Sequence, residues 1–117
     1  MLFKVRDYHG IPVILTKENW YKKILDPIFG HPEVKHHLSK IKKTIDRPDF
    51  VYQSVRDPRS KLFLTGFASG DFATHYLAVV VKYVKEQGKP VGYISTVMIN
   101  RKLPKQSQLL WQKRQST

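Results

Sequence analysis

Hydrophobic and polar positions alternate along most of this chain, and the period of the alternation changes with position. In "LFKVRDYHGIPVILT" β-branched and aromatic residues flank the turn residues His9-Gly10, which predicts two short strands. Thr16 then fits a helix N-cap, and in "TKENWYKKIL" the apolar residues Trp20, Ile24 and Leu25 recur at helical spacing until Pro27. A second helix is predicted over "HPEVKHHLSKIKKTID". Val34, Leu38, Ile41 and Ile45 fall within about 60° of one another on a helical wheel, and Lys35, His36, Ser39, Lys40, Lys42, Lys43 and Asp46 spread over the other side. Pro48 stops it.

From Asp49 to Asn100 the period falls to two. The strands "FVYQSV", "KLFLTGF", "THYLAVVVKYV" and "PVGYISTVMI" are separated by the turns "RDPRS", "ASGD" and "KEQGK", so neighbours should pair antiparallel. "YLAVVVKYV" is apolar at both parities, as a central strand covered on each face would be. The end, "NRKLPKQSQLLWQKRQST", reads either as a short helix docked through Leu109, Leu110 and Trp111 or as a mobile basic tail. The fold expected is α+β: N-terminal helices packed on a curved, four-stranded antiparallel sheet, in one domain over residues 1–103 with a basic tail over 104–117.

Charge changes this picture from a generic small domain to one with a preferred class of partner. The 117 residues carry 21 Lys and Arg against 9 Asp and Glu, a formal +12. Such a surface attracts polyanions, because each neutralised phosphate releases counterions. No window approaches the roughly 18 apolar residues of a membrane span, and the N-terminus lacks the apolar core of a secretion signal, so a soluble, cytoplasmic protein is expected. With no cysteine there is no disulfide and no thiolate metal site.

Candidate chemistry centres on "GHPEVKHHLSK". Pro32 suits the first position of a helix, which makes His31 its N-cap and Glu33 a first-turn acid. At that end the helix dipole disfavours imidazolium, leaving a neutral ring that can accept a proton. A metal site is not expected: His36 and His37 are adjacent, and two ligands on one helix need a separation of three or four residues. Nor is a cofactor, since neither a phosphate-cradling glycine loop nor a nucleophile elbow is present. Lys, Arg, His, Tyr, Ser and Thr dominate instead. They suit metal-independent RNA cleavage, in which a base activates the 2′-hydroxyl, cations stabilise the phosphorane and an acid protonates the leaving oxygen.

The motifs "ILTKENWYKKILDPIFGHPEV", "IKKTIDRPDFVYQ", "HYLAVVVKYV" and "GKPVGYISTVMINRK", in that order, resemble the small phage and bacterial nuclease-like proteins of the barnase/EndoU/colicin/RelE fold group. The resemblance spans roughly residues 12 to 101. It implies a ribonuclease, often toxin-like and held by an acidic antitoxin or inhibitor protein, and it points to His31, Glu33 and Ser95. Lys23 stands where many such proteins have histidine, and Gly30 where arginine usually precedes His-Pro-Glu; Ser95 replaces threonine.

Two functions therefore compete. In a RelE-like ribonuclease, His31 would be base or acid, Lys23 with Arg56 or Arg101 would stabilise phosphate, and Tyr93 and Ser95, on one strand face, would position substrate. In a non-catalytic module binding RNA, DNA or an acidic protein, Lys35, Lys40, Lys42, Lys43 and the tail would contact phosphates. The replaced positions favour the second.

Overall fold

The computed structural model describes residues 1–67 and 74–114. The predicted turn "ASGD" therefore lies outside the described residues.

The first hairpin forms as the alternation predicts. Strands β1 (Phe3–Arg6) and β2 (Pro12–Leu15) pair antiparallel, Phe3 opposite Leu15 and Val5 opposite Val13. Its turn is held by Asp7, whose carboxylate accepts from the backbone N–H groups of His9 and Ile11 at 2.8 and 2.9 Å and from the Tyr83 hydroxyl at 2.6 Å. Thr16 then caps helix α1 (Lys17–Asn19), accepting from the Asn19 N–H at 3.1 Å. The chain continues as a π-helical turn (Trp20–Ile24) that buries Trp20 and Ile24.

The second helix departs from its prediction at the start. Successive bonds from Val34, Lys35 and His37 N–H groups run to carbonyls three residues back, giving a 3₁₀ turn (Pro32–Val34) and a break before α2 (Leu38–Asp46). His31 makes no side-chain cap bond, and a three-residue turn has too few aligned peptides to build the dipole expected there. The apolar stripe survives the break, because Val34, Ile41 and Ile45 all reach the core.

The predicted meander follows as β3 (Phe50–Gln53), β4 (Ser60–Gly66), β5 (Tyr76–Glu86) and β6 (Lys89–Asn100), antiparallel throughout. β5 and β6 are joined through Gln87 and Gly88, both at positive φ (53° and 78°), the backbone that a tight two-residue hairpin requires.

The fold class expected from the sequence is corrected at both ends of this meander. β2 adds to β6 in parallel, Val13 opposite Gly92, bringing the first hairpin into the same sheet. At the other edge Leu109–Gln112 forms β7, paired antiparallel with β3, where a helix or a tail was expected. The result is one seven-stranded mixed sheet, in the order β1-β2-β6-β5-β4-β3-β7, and not helices packed on a four-stranded antiparallel sheet. β5 is its middle strand, as its two-sided apolar pattern requires.

The sheet's two faces differ. One carries Phe3, Val13, Leu15, Val51, Phe63, Leu77, Val79, Val81, Ile94 and Val97, packed with Trp20, Ile24, Val34, Ile41 and Ile45 of the helical layer. On the other, a smaller cluster of Tyr52, Leu64 and Ala78 meets Leu103. Leu103 belongs to the strap 101–108, which leaves β6 and must cross β5, β4 and β3 to reach β7. Four strand spacings are about 19 Å, within reach of eight nearly extended residues.

Candidate functional site

The residues expected to act together divide between these two sides. Lys23, His31 and Glu33 belong to the helical layer. His31 Nδ1 lies 3.2 Å from Glu33 Oε1, in a pair whose side chains are each about 40% exposed. Lys23 is exposed on the last turn of the π-helical segment. Gly30 explains itself sterically: a Cβ there would stand 2.3 Å from the Lys23 carbonyl oxygen and 2.4 Å from that of Ile24. Both atoms are backbone, so this loop has no room for arginine or any other side chain in place of Gly30.

Tyr93 and Ser95 lie on β6 on either side of the buried Ile94, which places Tyr93 on the face away from the helices. The ladder shifts here: Val81 pairs with Ile94 but Val80 with Thr96, leaving Ser95 as the extra residue of a β-bulge. Its hydroxyl donates to the Val80 carbonyl at 3.2 Å, so it serves the sheet. The Tyr93 hydroxyl donates to Glu86 Oε2 at 2.6 Å, and this bond to a carboxylate raises the phenol's pKa. Arg101 is exposed where the strap begins, and Arg56 lies in the β3–β4 turn. The geometry thus brings His31 to Glu33, on a turn that packs against β6, while the hydroxyls of Ser95 and Tyr93 are bonded to Val80 and Glu86 and Arg56 lines a cleft on the strap side.

The lysines of α2 are also unequal. Lys40 is committed, its ammonium donating to the Gly66 carbonyl at 2.8 Å and standing 4.6 Å from the Phe67 ring centre. Lys42 lies 5.3 Å from the Phe3 ring centre while remaining exposed. Lys35 and Lys43 are exposed. Among the described residues, no three His, Asp or Glu side chains gather into a group able to hold a metal ion. No helix among them is long and apolar enough to cross a membrane.

Charge is distributed with a consistent bias. Every described carboxylate has a partner inside the molecule. Asp7 holds its turn, Asp26 accepts from the N–H groups of Ile28 and Phe29, and Asp49 accepts from that of Gly66. Asp57 accepts from the Arg59 N–H and the Ser60 hydroxyl, and the backbone bond above all lowers its pKa. Glu86 takes the Tyr93 hydroxyl, Glu33 faces His31, and Glu18 and Asp46 pair with Lys22 and Arg47. Among the described residues, only Lys22, Arg47 and Arg59 of the lysines and arginines are in ion pairs.

The strap side carries a feature that the sequence reading missed. Read across the ladder, Thr96, Val80, Leu62 and Tyr52 form one row, and Met98, Ala78, Leu64 and Phe50 the next. Where the strap leaves these rows uncovered there is a cleft of about 500 Å³. Leu62, Val80, Thr96 and Met98 form its floor. Arg56 stands on the hairpin side and Lys102 on the strap side. Asn100 and Ser107 add polar groups, and Val55, 69% exposed, forms part of the lip. The alternation Thr96-Met98-Asn100 was visible in the sequence, but the bulge that aligns it and the strap that walls it were not.

Comparison of the chain with protein-family models, with curated proteins and with solved structures finds no match in any of the three.

Proposed function

We propose that this protein is a nucleic-acid-binding module whose lysines and arginines hold phosphate backbones without cutting them. The observation that carries this reading is the excess of 21 Lys and Arg over 9 Asp and Glu, together with the finding that among the described residues every carboxylate has an internal partner and only Lys22, Arg47 and Arg59 of the cations are in ion pairs. Exposed cations in that state bind polyphosphates through counterion release. The Ser95 hydroxyl is spent on the Val80 carbonyl and Arg56 lines the strap-side cleft, which argues against these groups acting with His31 as one catalytic set.

A second reading, a metal-independent ribonuclease of the kind the sequence resembles, keeps one specific observation. His31 and Glu33 are half exposed and 3.2 Å apart, close enough for a carboxylate to orient an imidazole acting as base.

Labelled single-stranded RNA incubated with the protein in EDTA separates the two. The binding module retains intact RNA, with an affinity that falls steeply and log-linearly as salt rises. Cyclic-phosphate-ended fragments that disappear in His31→Ala would establish the nuclease instead. RNA left unbound at roughly 50 mM salt would contradict both.

A further inference from the structure

We propose that the cleft between the β3–β4 turn and the strap is a pocket for one unpaired base of single-stranded RNA. This deepens the binding function proposed above and rests on it. Its floor is largely apolar, because Leu62, Val80 and the methyl-bearing Thr96 are cross-strand neighbours in one row and Met98 follows on β6. A base stacks on such a floor by its π-face, and a methionine sulfur lies well against an aromatic ring. The volume, about 500 Å³, falls in the range of pockets that enclose a small ligand.

The polar groups around that floor are unspent. The side chains of Thr96, Asn100 and Ser107 form no hydrogen bond with any described residue, and those of Arg56 and Lys102 form no ion pair. Two cations flanking an apolar floor complement a nucleotide, which carries phosphate on either side of a flat ring. Asp57, the one carboxylate at the cleft, is bound to Arg59 and Ser60, so it adds no free acceptor. A duplex cannot enter, because its bases are stacked and paired; the pocket therefore prefers single strands.

Two measurements test this. Fluorescence polarisation compares labelled oligouridylate and oligoadenylate with an RNA duplex of equal length, for the wild type and for Thr96→Phe, which fills the floor with a residue that strands accept. The expected result is tighter binding of the single strands by the wild type, an approximately tenfold loss of that binding in Thr96→Phe, and little change for the duplex. The second measurement uses the wild type alone, so a folding defect in the variant does not enter. The chain has two methionines, Met1 and Met98. A base seated in the cleft moves the Met98 methyl resonance upfield by its ring current, saturably, and leaves that of Met1 in place. RNA binding with an unmoved Met98 signal and no preference for single strands would overturn the pocket while leaving the binding function intact. Absence of any RNA binding would overturn both.

Discussion

The helix side and the strap side of this sheet share their strands yet are built to different standards. Phe63 and Leu62 are consecutive on β4. Phe63 is fully buried beneath the helical layer, whereas Leu62 floors a cleft and is only partly buried. The helix side meets a complete layer of apolar residues, so its side chains are fixed by close packing. Across the strap side runs one eight-residue segment anchored by Leu103, which shelters part of the face and leaves the rest as a concave, half-wet surface. On the function proposed above, stability and recognition fall to opposite faces of one sheet.

The sharpest way to break this comparison is to shorten the two neighbours in turn. Phe63→Ala should cost about 3–5 kcal/mol in chemical denaturation, the range for a fully buried aromatic. Leu62→Ala should cost less, about 2 kcal/mol at the low end for a shortened leucine, because it is only partly buried. Equal losses would mean that the strap side is as closely packed as the helix side. Gly30→Ala comes next. Its Cβ would meet two backbone oxygens at 2.3 and 2.4 Å, so the loop must move, and a loss near the upper end of about 1–3 kcal/mol is expected. An unchanged denaturation midpoint would show that the loop is not fixed as described.

The smallest effect concerns Tyr83, which reaches from β5 to the first hairpin. Burial first, and then its hydrogen bond to Asp7, hold its phenol far above the ordinary tyrosine value. A raised folded-state pKa favours the neutral phenol in the native protein. Its contribution is therefore complete below the unfolded value of about 10 and declines as pH rises beyond it. Tyr83→Phe should cost about 1–2 kcal/mol at neutral pH and flatten the fall of melting temperature above about pH 10. A wild type and variant with parallel alkaline profiles would contradict this.

The same contrast shows how much of the molecule could be read in advance. The first hairpin, the Thr16 cap, the α2 stripe and the four-strand meander follow from local periodicity, and all are present. What failed were the long-range joins. Nothing local in "PVIL" announces a parallel partner 79 residues away, Val13 to Gly92, and nothing in "LLWQ" distinguishes an edge strand from a short helix. The candidate site depends on joins of the same kind. His31 and Ser95 were joined by analogy, and local periodicity could foresee neither the one-residue bulge at Ser95 nor the bond of its hydroxyl to the Val80 carbonyl. The cleft depends on three segments converging, and only Thr96, Met98 and Asn100 lie close together in sequence.

The central claim is that RNA is read on the strap side, and paired charge removal tests it most directly. The salt dependence of single-stranded RNA binding is measured for Arg56→Gln with Lys102→Gln, and for Lys35→Gln with Lys43→Gln in the helical layer. The account predicts that the cleft pair loses more affinity and flattens the slope of log affinity against log salt by about 1.4, two single-strand phosphate contacts at 0.7 each. A flattened slope in the helical-layer pair alone, with the cleft pair behaving as wild type, would contradict it.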